Sequence, residues 1–240
     1  MNKTSSRIVE IVGPAGAGKT TLCNVLSCCQ ATTYLGRFPD VRKAAHAPFF
    51  IWNSLQVFLA TRGLPRRNSR QLTRREVAWL AILNGWPAVL RKESRNSRFI
   101  WLDQGPVYLL TETRTFGPEY LRRSEAGKLW RRLYSQWADL LDAIIWLDAA
   151  DVELLKRIRG RCKEHAVKNE SAQTTFEYLA SYRHAYEQTL SGLLANHPRL
   201  RVLRFDTGQK SPEDIAGRLV LEFGLANGRI GSSGKAYSSL

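Results

Sequence analysis

Short apolar runs alternate along the chain with longer amphipathic stretches. The first run, Arg7–Val12, is rich in β-branched residues and ends at a glycine, which predicts a buried strand. Three further runs of the same character are predicted as strands, at 98–102, 143–147 and 200–205. An aspartate follows each of these three runs, and a weaker strand is predicted over 31–35.

The stretches between the apolar runs repeat their apolar residues at helical spacing. This periodicity predicts helices over Thr73–Leu90, Glu119–Leu141 and Asp151–His165, with a kink at Pro87 in the first of them. Strands separated by helices pair in parallel through crossover connections. The expected fold class is therefore α/β, with a doubly wound, mostly parallel five-stranded sheet flanked by helices.

The chain is strongly basic. Its 240 residues carry 36 Lys and Arg against 21 Asp and Glu, which gives a formal charge of +15. Such an excess indicates anionic partners, a class that includes nucleotides, nucleic acid and acidic surfaces. The length fits a single domain over 1–225, followed by a flexible tail of small and polar residues over 226–240.

Two further features bear on where the protein works. The most apolar window, Ala47–Ala60, is too short to span a bilayer and contains polar residues, so no membrane partner is expected. The four cysteines show neither a CxxC pair nor the spacing of zinc ligands. Free thiols of this kind are typical of a reducing compartment, and we expect a cytoplasmic protein.

A glycine-rich segment after the first predicted strand matches the complete phosphate-loop (Walker A) pattern GxxxxGK[ST]. With the threonine that follows, it is the predicted nucleotide-binding set: Gly13, Pro14, Ala15, Gly16, Ala17, Gly18, Lys19, Thr20 and Thr21. The glycines allow backbone N–H groups to converge on phosphate oxygens, and the helix that follows adds the positive end of its dipole. Lys19 supplies charge to the β and γ phosphates, and the Thr20 hydroxyl is a ligand for Mg²⁺. The pattern predicts that the chain binds a nucleoside triphosphate.

Other motifs narrow the class of nucleotide-binding protein. The sequence has no [NT]KxD segment for guanine and no LSGGQ-like segment of a transport ATPase. Pro106 stands where the DxxG motif of a GTPase, counted from Asp103, has glycine. Helicases and motors generally need a longer chain. These exclusions favour a kinase that acts on a small substrate.

The chain resembles the P-loop nucleoside and nucleotide kinase superfamily, most nearly its thymidylate-kinase-like branch. The resemblance spans about residues 7–223 and rests on four segments: GPAGAGKTT, FIWLDQGP, DVELLKRIRGRCKEH with FEYLASYRHAYEQTL, and RVLRFDTGQKSPEDIAGRL. It implies a phosphotransferase that uses ATP as donor and Mg²⁺ as cofactor, with a nucleoside or nucleotide as the leading acceptor. It also places the loop 206–208 beside the adenine, and it allows a homodimer through the helix that carries Trp130 and Trp137.

The resemblance implies a role for Asp103, at the end of a core strand. This aspartate would organise Mg²⁺, directly or through water, or accept the proton of an attacking hydroxyl. Kinases of this kind often have an arginine directly after the aspartate, where it contacts the acceptor or its phosphate, whereas this chain has Gln104. The glutamine at this position therefore favours an acceptor that presents an uncharged hydroxyl.

A cluster of basic residues lies in a segment expected to form a small helical lid, over 151–172. On a continuous helix Arg157, Arg161 and His165 share one face. Such a cationic ridge closes over a triphosphate and offsets the charge on the transferred phosphoryl group. The predicted catalytic residues are Lys19, Asp103, Arg157 and Arg161.

The insert over 36–97 is expected to build the acceptor pocket. It combines arginines with six aromatic residues, Phe49, Phe50, Trp52, Phe58, Trp79 and Trp86. Aromatic platforms beside arginines bind bases and phosphates, although aromatics at helical spacing more often form core. The basic run over 62–75 is dense enough to contact a polyanion. Two alternatives stay open: a kinase acting on nucleic acid or on a metabolite hydroxyl, and a nucleotide-dependent nucleic-acid-binding switch with little turnover.

Overall fold

A computed structural model describes residues 7–28, 33–36, 38–66, 69–94, 99–162 and 164–224. The expected tail over 226–240 lies outside the described residues, as do the first two positions of the weak predicted strand. None of the helices in the described part of the chain combines the length and the apolar character needed to cross a membrane.

The centre of the fold is a five-stranded sheet. Its strands are β1 (Arg7–Val12), β2 (Thr33–Gly36), β3 (Phe99–Asp103), β4 (Ala143–Asp148) and β5 (Arg201–Asp206). They lie in the order β2-β3-β1-β4-β5, and every neighbouring pair is parallel. The predicted doubly wound α/β sheet is confirmed. The three aspartates expected just after strands are the last residues of β3, β4 and β5, so they meet at one edge of the sheet.

Helices cover both faces of this sheet. Along the chain they are α1 (Lys19–Cys28), α2 (Ala47–Thr61), α3 (Arg74–Glu93), α4 (Pro106–Thr115), α5 (Glu119–Arg122), α6 (Gly127–Ala138), α7 (Asp151–Gly160), α8 (Ala172–Asn196) and α9 (Pro212–Glu222). Short 3-10 turns at Ala44–His46 and Ser124–Ala126 lead into α2 and α6.

Alternate residues of β1 separate two apolar cores. Ile8 and Val12 belong to the core under α2, α3, α4, α6 and α8, whereas Val9 and Ile11 face the core under α1, α7 and α9. A strand covered on both faces needs apolar residues at successive positions, and β1 has them with one exception. That exception is Glu10, which is fully buried on the same face as Ile8 and Val12.

Helix α3 continues through Pro87 because a side chain of another helix replaces the lost hydrogen bond. Pro87 has no N–H to donate to the carbonyl of Leu83, four residues earlier. The indole Nε1 of Trp137, in α6, donates to that carbonyl at 2.9 Å. The helix predicted over 73–90 therefore lies where its periodicity placed it and runs three residues further, to Glu93.

The helix predicted over Glu119–Leu141 is wrong as a single element. Arg123 is extended, with φ −73° and ψ 160°, and it separates α5 from α6. Trp130 and Trp137 in α6 are buried within their own chain, with exposures of 4% and 0%. The helix face considered for pairing two chains therefore packs inward.

The helix predicted over Asp151–His165 is wrong beyond Gly160. Its first residues follow the prediction, with Leu154 and Ile158 buried against the sheet. Arg161 is extended, with φ −83° and ψ 147°, so it ends α7 and changes the direction of the chain. Only the first ten residues of the expected lid are therefore in α7, and Arg157, Arg161 and His165 do not share a helical face.

Candidate functional site

The loop between β1 and α1 requires glycine at three positions. Gly13, Gly16 and Gly18 have φ values of 145°, 85° and 84°, a region that other residues enter only with strain. Space is also limiting, because a Cβ on Gly13 would lie 2.0 Å from the carbonyl oxygen of Leu147 in β4. The loop curls at the N-terminus of α1 and lines a cavity of about 390 Å³. A concave backbone at a helix N-terminus is the geometry of an anion site.

Lys19 places its ammonium group inside this curl. Its Nζ donates to the carbonyl oxygens of Gly13 and Pro14, each at 2.8 Å. Burial lowers the pKa of Lys19 to about 8, partly opposed by the nearby Asp103 carboxylate. The charge needed to receive phosphate groups is thus held at the centre of the loop.

Thr20 and Asp103 join the loop to the neighbouring strand. Because β1 and β3 pair with Ile11 opposite Asp103, the end of β3 lies beside the start of α1. The Thr20 hydroxyl donates to Asp103 Oδ2 at 2.6 Å, and the buried Asp103 Oδ1 has no hydrogen-bond partner among the described residues.

These oxygens fit a magnesium ion. Mg²⁺ prefers oxygen ligands and is commonly held by one or two protein groups together with substrate phosphates. Among the described residues, no cluster of three or more His, Cys, Asp or Glu could hold a metal by itself. Thr20 and Asp103 therefore suit an ion that arrives with a nucleotide.

Glu10 supports the turn that follows Asp103. Its buried carboxylate accepts hydrogen bonds from the N–H groups of Val107 at 2.8 Å and Tyr108 at 3.2 Å, in the first turn of α4. Burial raises the pKa of Glu10 to about 8, although these backbone hydrogen bonds oppose the rise. Gln104, which lies in this turn directly after Asp103, has a positive φ of 57°. Glu10 thus fixes the start of α4 against β1, and with it the turn that carries Gln104.

Arg157 and Arg161 occupy different places. The Arg157 guanidinium donates to the Thr207 hydroxyl and carbonyl, each at 2.9 Å, and to the Gly16 carbonyl at 3.4 Å. It also pairs with Glu153 one turn earlier in α7. Arg161 makes no hydrogen bond with the described residues and lines the phosphate-loop cavity near Lys19, whose pKa its charge helps to lower. Arg161 is therefore the one of the two that is available to a phosphoryl group.

A second cavity, of about 340 Å³, lies on the other side of the phosphate loop. Arg161 lines both cavities, as Gly16, Gly18 and Thr21 of the phosphate loop and α1 do, whereas Arg157 lines only the second. Thr207 and Lys210, which follow β5, close it. The loop 206–208, which the sequence resemblance implies beside an adenine, thus borders this second cavity through Thr207.

The wall opposite the phosphate loop is built from α4 and α8. It consists of Tyr108 and Glu112 from α4 and Tyr178, Tyr182 and Tyr186 from α8, with Gln104 beside them. None of these except Gln104 was singled out in the sequence. The spacing of the three α8 tyrosines, each four residues after the last, was the signal available, because residues four apart share a helix face.

A larger cavity, of about 1030 Å³, adjoins this wall on the side of the insert. Apolar and aromatic residues of the segment 38–41, α2 and α3 line most of it. Lys43, Arg74 and Arg75 contribute positive charge, and Asp40 and Glu93 contribute negative charge. Trp79 lines this cavity and meets the ring of Tyr108 edge to face at 6.1 Å. The two cavities are thus neighbours across the Trp79–Tyr108 contact.

Two solved kinase structures have a fold similar to that of this chain. Thymidylate kinase from Candida albicans is similar over 92% of this chain and 92% of its own, with a TM-score of 0.55 and 16% identity. Deoxyadenosine kinase from M. mycoides is similar over 91% of this chain and 99% of its own, with a TM-score of 0.50 and 14% identity. The chain has a thymidylate-kinase-like fold. No protein-family model matches it, and no curated protein does either.

In this thymidylate-kinase-like fold, the aromatic residues of the insert occupy different environments. Phe50 and Trp86 are core residues that also border the large cavity, whereas Trp52 and Phe58 are 62% and 56% exposed on α2. Phe49 and Trp79 line the same cavity and are only partly buried. The six aromatics predicted as one set therefore divide among the core, the surface and a pocket.

The basic run over 62–75 also divides. Arg74 and Arg75 line the large cavity, and the Arg75 guanidinium lies 4.2 Å from the centre of the Trp79 ring. Arg70 is paired with Glu76, and Arg66 lies over the Tyr120 ring. Several of these charges thus have partners within the chain, and the run does not present one uniform cationic surface.

Proposed function

We propose that this protein is an ATP-dependent kinase that transfers the γ-phosphoryl group to a small acceptor, with nucleosides and nucleotides as the leading class. The observation that carries the proposal is the link between a complete phosphate loop and an acidic strand end, the Thr20–Asp103 hydrogen bond. Cavities on both sides of the loop support it, since a kinase must bind a donor and an acceptor at once.

On the donor side, the phosphate loop and Lys19 hold the triphosphate. Mg²⁺, held by Thr20 and Asp103, supplies charge neutralisation when it is bound. Arg157 ties the loop at Thr207 to the phosphate loop, beside the cavity that would take the base. Arg161 contributes positive charge to the transferred phosphoryl group, since it is free of hydrogen bonds to the described residues and lines the same cavity.

On the acceptor side, the large cavity takes the body of the acceptor. Its aromatic and apolar lining suits a planar ring, and Lys43 and Arg74 at its margin suit a polar or anionic substituent. The reacting end then passes the Trp79–Tyr108 contact to reach the phosphate loop. Catalysis in this arrangement consists mainly of positioning and electrostatic stabilisation.

A transfer assay tests the proposal. Full-length protein is incubated with γ-labelled ATP, Mg²⁺ and a panel of nucleosides, nucleoside 5′-monophosphates, polyols and oligonucleotides, and labelled products are separated by chromatography. We expect labelled product with a nucleoside or nucleotide. Tight, salt-sensitive binding of oligonucleotides without labelled product from any acceptor would contradict the proposal and favour a nucleic-acid-binding switch.

A further inference from the structure

The cavity wall opposite the phosphate loop presents groups that bind hydroxyls. Tyr108 and Glu112 lie four residues apart on α4, and Tyr178, Tyr182 and Tyr186 follow the same interval on α8. Residues at this interval share a helix face. Because α4 and α8 pack against each other, the two faces meet at the cavity. Four phenols and the carboxylate of Glu112 therefore face the phosphate loop, and Glu164 and His165, which follow α7, also line the cavity.

Glu112 is held in this wall by a tyrosine. The Tyr182 hydroxyl donates to Glu112 Oε1 at 2.5 Å, which links α8 to α4. Glu112 is 9% exposed, and the open part of the residue faces the cavity it lines. A carboxylate has about four acceptor positions, so the bond from Tyr182 leaves others for a donor in the cavity.

The charge of the wall discriminates between acceptors. The Lys and Arg residues that line this cavity in the described chain are Lys19 and Arg161, and both lie on the side of the phosphate loop. The wall itself contributes the carboxylate of Glu112 and an amide, Gln104, beside neutral phenols. A phosphate brought against Glu112 would meet a like charge, which is unfavourable, and among the described lining residues α4 and α8 contribute no Lys or Arg that could offset it. A hydroxyl, which can donate to the carboxylate, suits the same position.

The phenols remain hydrogen-bond donors at neutral pH. Burial, helped by the neighbouring Glu112 carboxylate, raises the pKa of Tyr108 to about 12. Burial also raises the pKa of Tyr178, Tyr182 and Tyr186. The wall can therefore orient Glu112 and donate to further oxygens of an acceptor, as a site for a polyhydroxylated group such as a sugar requires.

Building on the kinase function proposed above, we infer that Glu112 is a catalytic residue that binds the reacting hydroxyl, and that the acceptor is an alcohol rather than a phosphate. The acceptor oxygen forms a bond to the γ-phosphorus while the bond from that phosphorus to the β–γ bridging oxygen breaks. ADP leaves with the electron pair of the broken bond. The hydroxyl proton passes to the Glu112 carboxylate and from there to solvent.

Matched acceptors and matched variants test this inference. The full-length protein is assayed with γ-labelled ATP against pairs of a nucleoside and its 5′-monophosphate, and the best acceptor is then used with Glu112→Gln and Tyr182→Phe. The controls are Glu177→Gln, at an exposed position of α8, and Tyr134→Phe, at a buried tyrosine whose hydroxyl has no hydrogen-bond partner in the described part of the chain. Each variant is also measured for ATP affinity, for slow ATP hydrolysis without acceptor, and for thermal stability.

We expect nucleosides to be phosphorylated in preference to their monophosphates. Glu112→Gln should lower kcat by about 10²–10⁴-fold with a much smaller change in acceptor KM, because the amide keeps the shape but cannot take the proton. Tyr182→Phe should lower kcat about 10-fold by releasing Glu112. ATP affinity should stay within twofold of the parent in both variants, whereas acceptor-free hydrolysis should fall in Glu112→Gln, because water then takes the place of the hydroxyl. A purely structural role for Glu112 would instead change the ATP affinity or the melting temperature.

The inference and the kinase function fail in different ways. A preference for monophosphates, or an unchanged kcat in Glu112→Gln, overturns the inference and leaves the kinase function standing. The absence of transfer to every acceptor by the unmodified protein overturns both. An equal loss of activity in Glu112→Gln and in the two control variants also overturns the inference, since the effect would then not belong to the cavity.

Discussion

The proposed donor and acceptor sides of the cleft are built in different ways. The donor side is a continuous segment, the phosphate loop from Gly13 to Thr20, completed by Asp103 from the adjacent strand. The acceptor side takes Tyr108 and Glu112 from α4 and three tyrosines from α8, which lie about seventy residues further along the chain. One side is local in sequence, and the other exists only after helices have packed.

This difference decides how each side responds to change. The geometry of the phosphate loop follows from backbone conformations that glycine permits, so it depends little on distant packing. The acceptor wall depends on the alignment of α4 with α8, and the large cavity depends on the approach of α2 to α3. We therefore expect substitutions on the donor side to affect chemistry directly, and packing substitutions on the insert side to affect stability and acceptor binding. Four predictions test this contrast, and the one with the strongest effect comes first.

Replacing Lys19 should have the largest effect. Lys19→Ala removes the charge at the centre of the loop, and we expect phosphoryl transfer to fall by at least about 10²–10³-fold, as for loss of other preorganised donors. Lys156→Ala, at an exposed position of α7, is the control and should retain parental activity. Steady-state transfer of labelled phosphate measures both. Transfer by Lys19→Ala at the parental rate would refute the proposed function.

Replacing Arg161 and replacing Arg157 should change different quantities, the first kcat and the second the affinity for ATP. Arg161→Ala should lower kcat by about 10²-fold, because Arg161 lines the phosphate cavity and makes no hydrogen bond to the described residues. Arg157→Ala should weaken ATP binding about 10-fold, because the Arg157 hydrogen bonds to Thr207 and Gly16 connect the wall of the proposed base cavity to the phosphate loop. Arg159→Ala, an exposed neighbour that bonds the Glu170 carbonyl, should change neither quantity more than twofold. Identical kinetic defects in the first two variants would contradict the separate roles.

A methyl group between α2 and α3 should perturb the insert and spare the donor side. A Cβ on Gly85 would lie 2.4–2.5 Å from the side chain of Asn53, which is fixed by hydrogen bonds to Phe49 and Asn84. We expect Gly85→Ala to lower the free energy of unfolding by about 1–3 kcal/mol while ATP affinity is preserved.

The matched control for that variant is Gly217→Ala in α9. A Cβ there meets no atom within 4 Å, so the change should raise the free energy of unfolding by about 0.5–1 kcal/mol. Urea unfolding and ATP titration measure both variants. Equal stability of the two would show that α2 and α3 approach less closely than described.

Glu10 should make stability depend on pH. Its pKa is raised from 4.5 in the unfolded chain to about 8 by burial, so between these values the folded state binds more protons than the unfolded state. The free energy of unfolding contributed by this group therefore falls as pH rises from 4.5 to 8, by up to about 1.4 kcal/mol per pH unit. Glu10→Gln should remove this slope in urea unfolding measured at pH 5 to 8. The exposed Glu125→Gln should keep it, and a Glu10→Gln slope equal to the parental one would contradict the prediction.

The strands were predictable because their signal is local. Runs such as Arg7–Val12 are buried on both faces of the sheet, and a parallel sheet of this kind reads as continuous apolar sequence. Helix ends were harder, as the interruptions at Arg123 and Arg161 show. Both arginines adopt extended conformations within stretches whose periodicity continues, because contacts with other elements decide where the chain turns. The proposed lid residues separated for the same reason.

The sequence by itself determined the phosphate loop, the order of strands and helices, and the aspartate at the end of β3. Each depends on neighbouring residues, either through backbone freedom at glycine or through apolar periodicity. Only the tertiary structure decided what faces that loop. Glu112 and Tyr182 lie seventy residues apart, and their contact depends on packing between α4 and α8, which no short pattern encodes. The same holds for Glu10, whose two partners on α4 lie almost a hundred residues further along the chain.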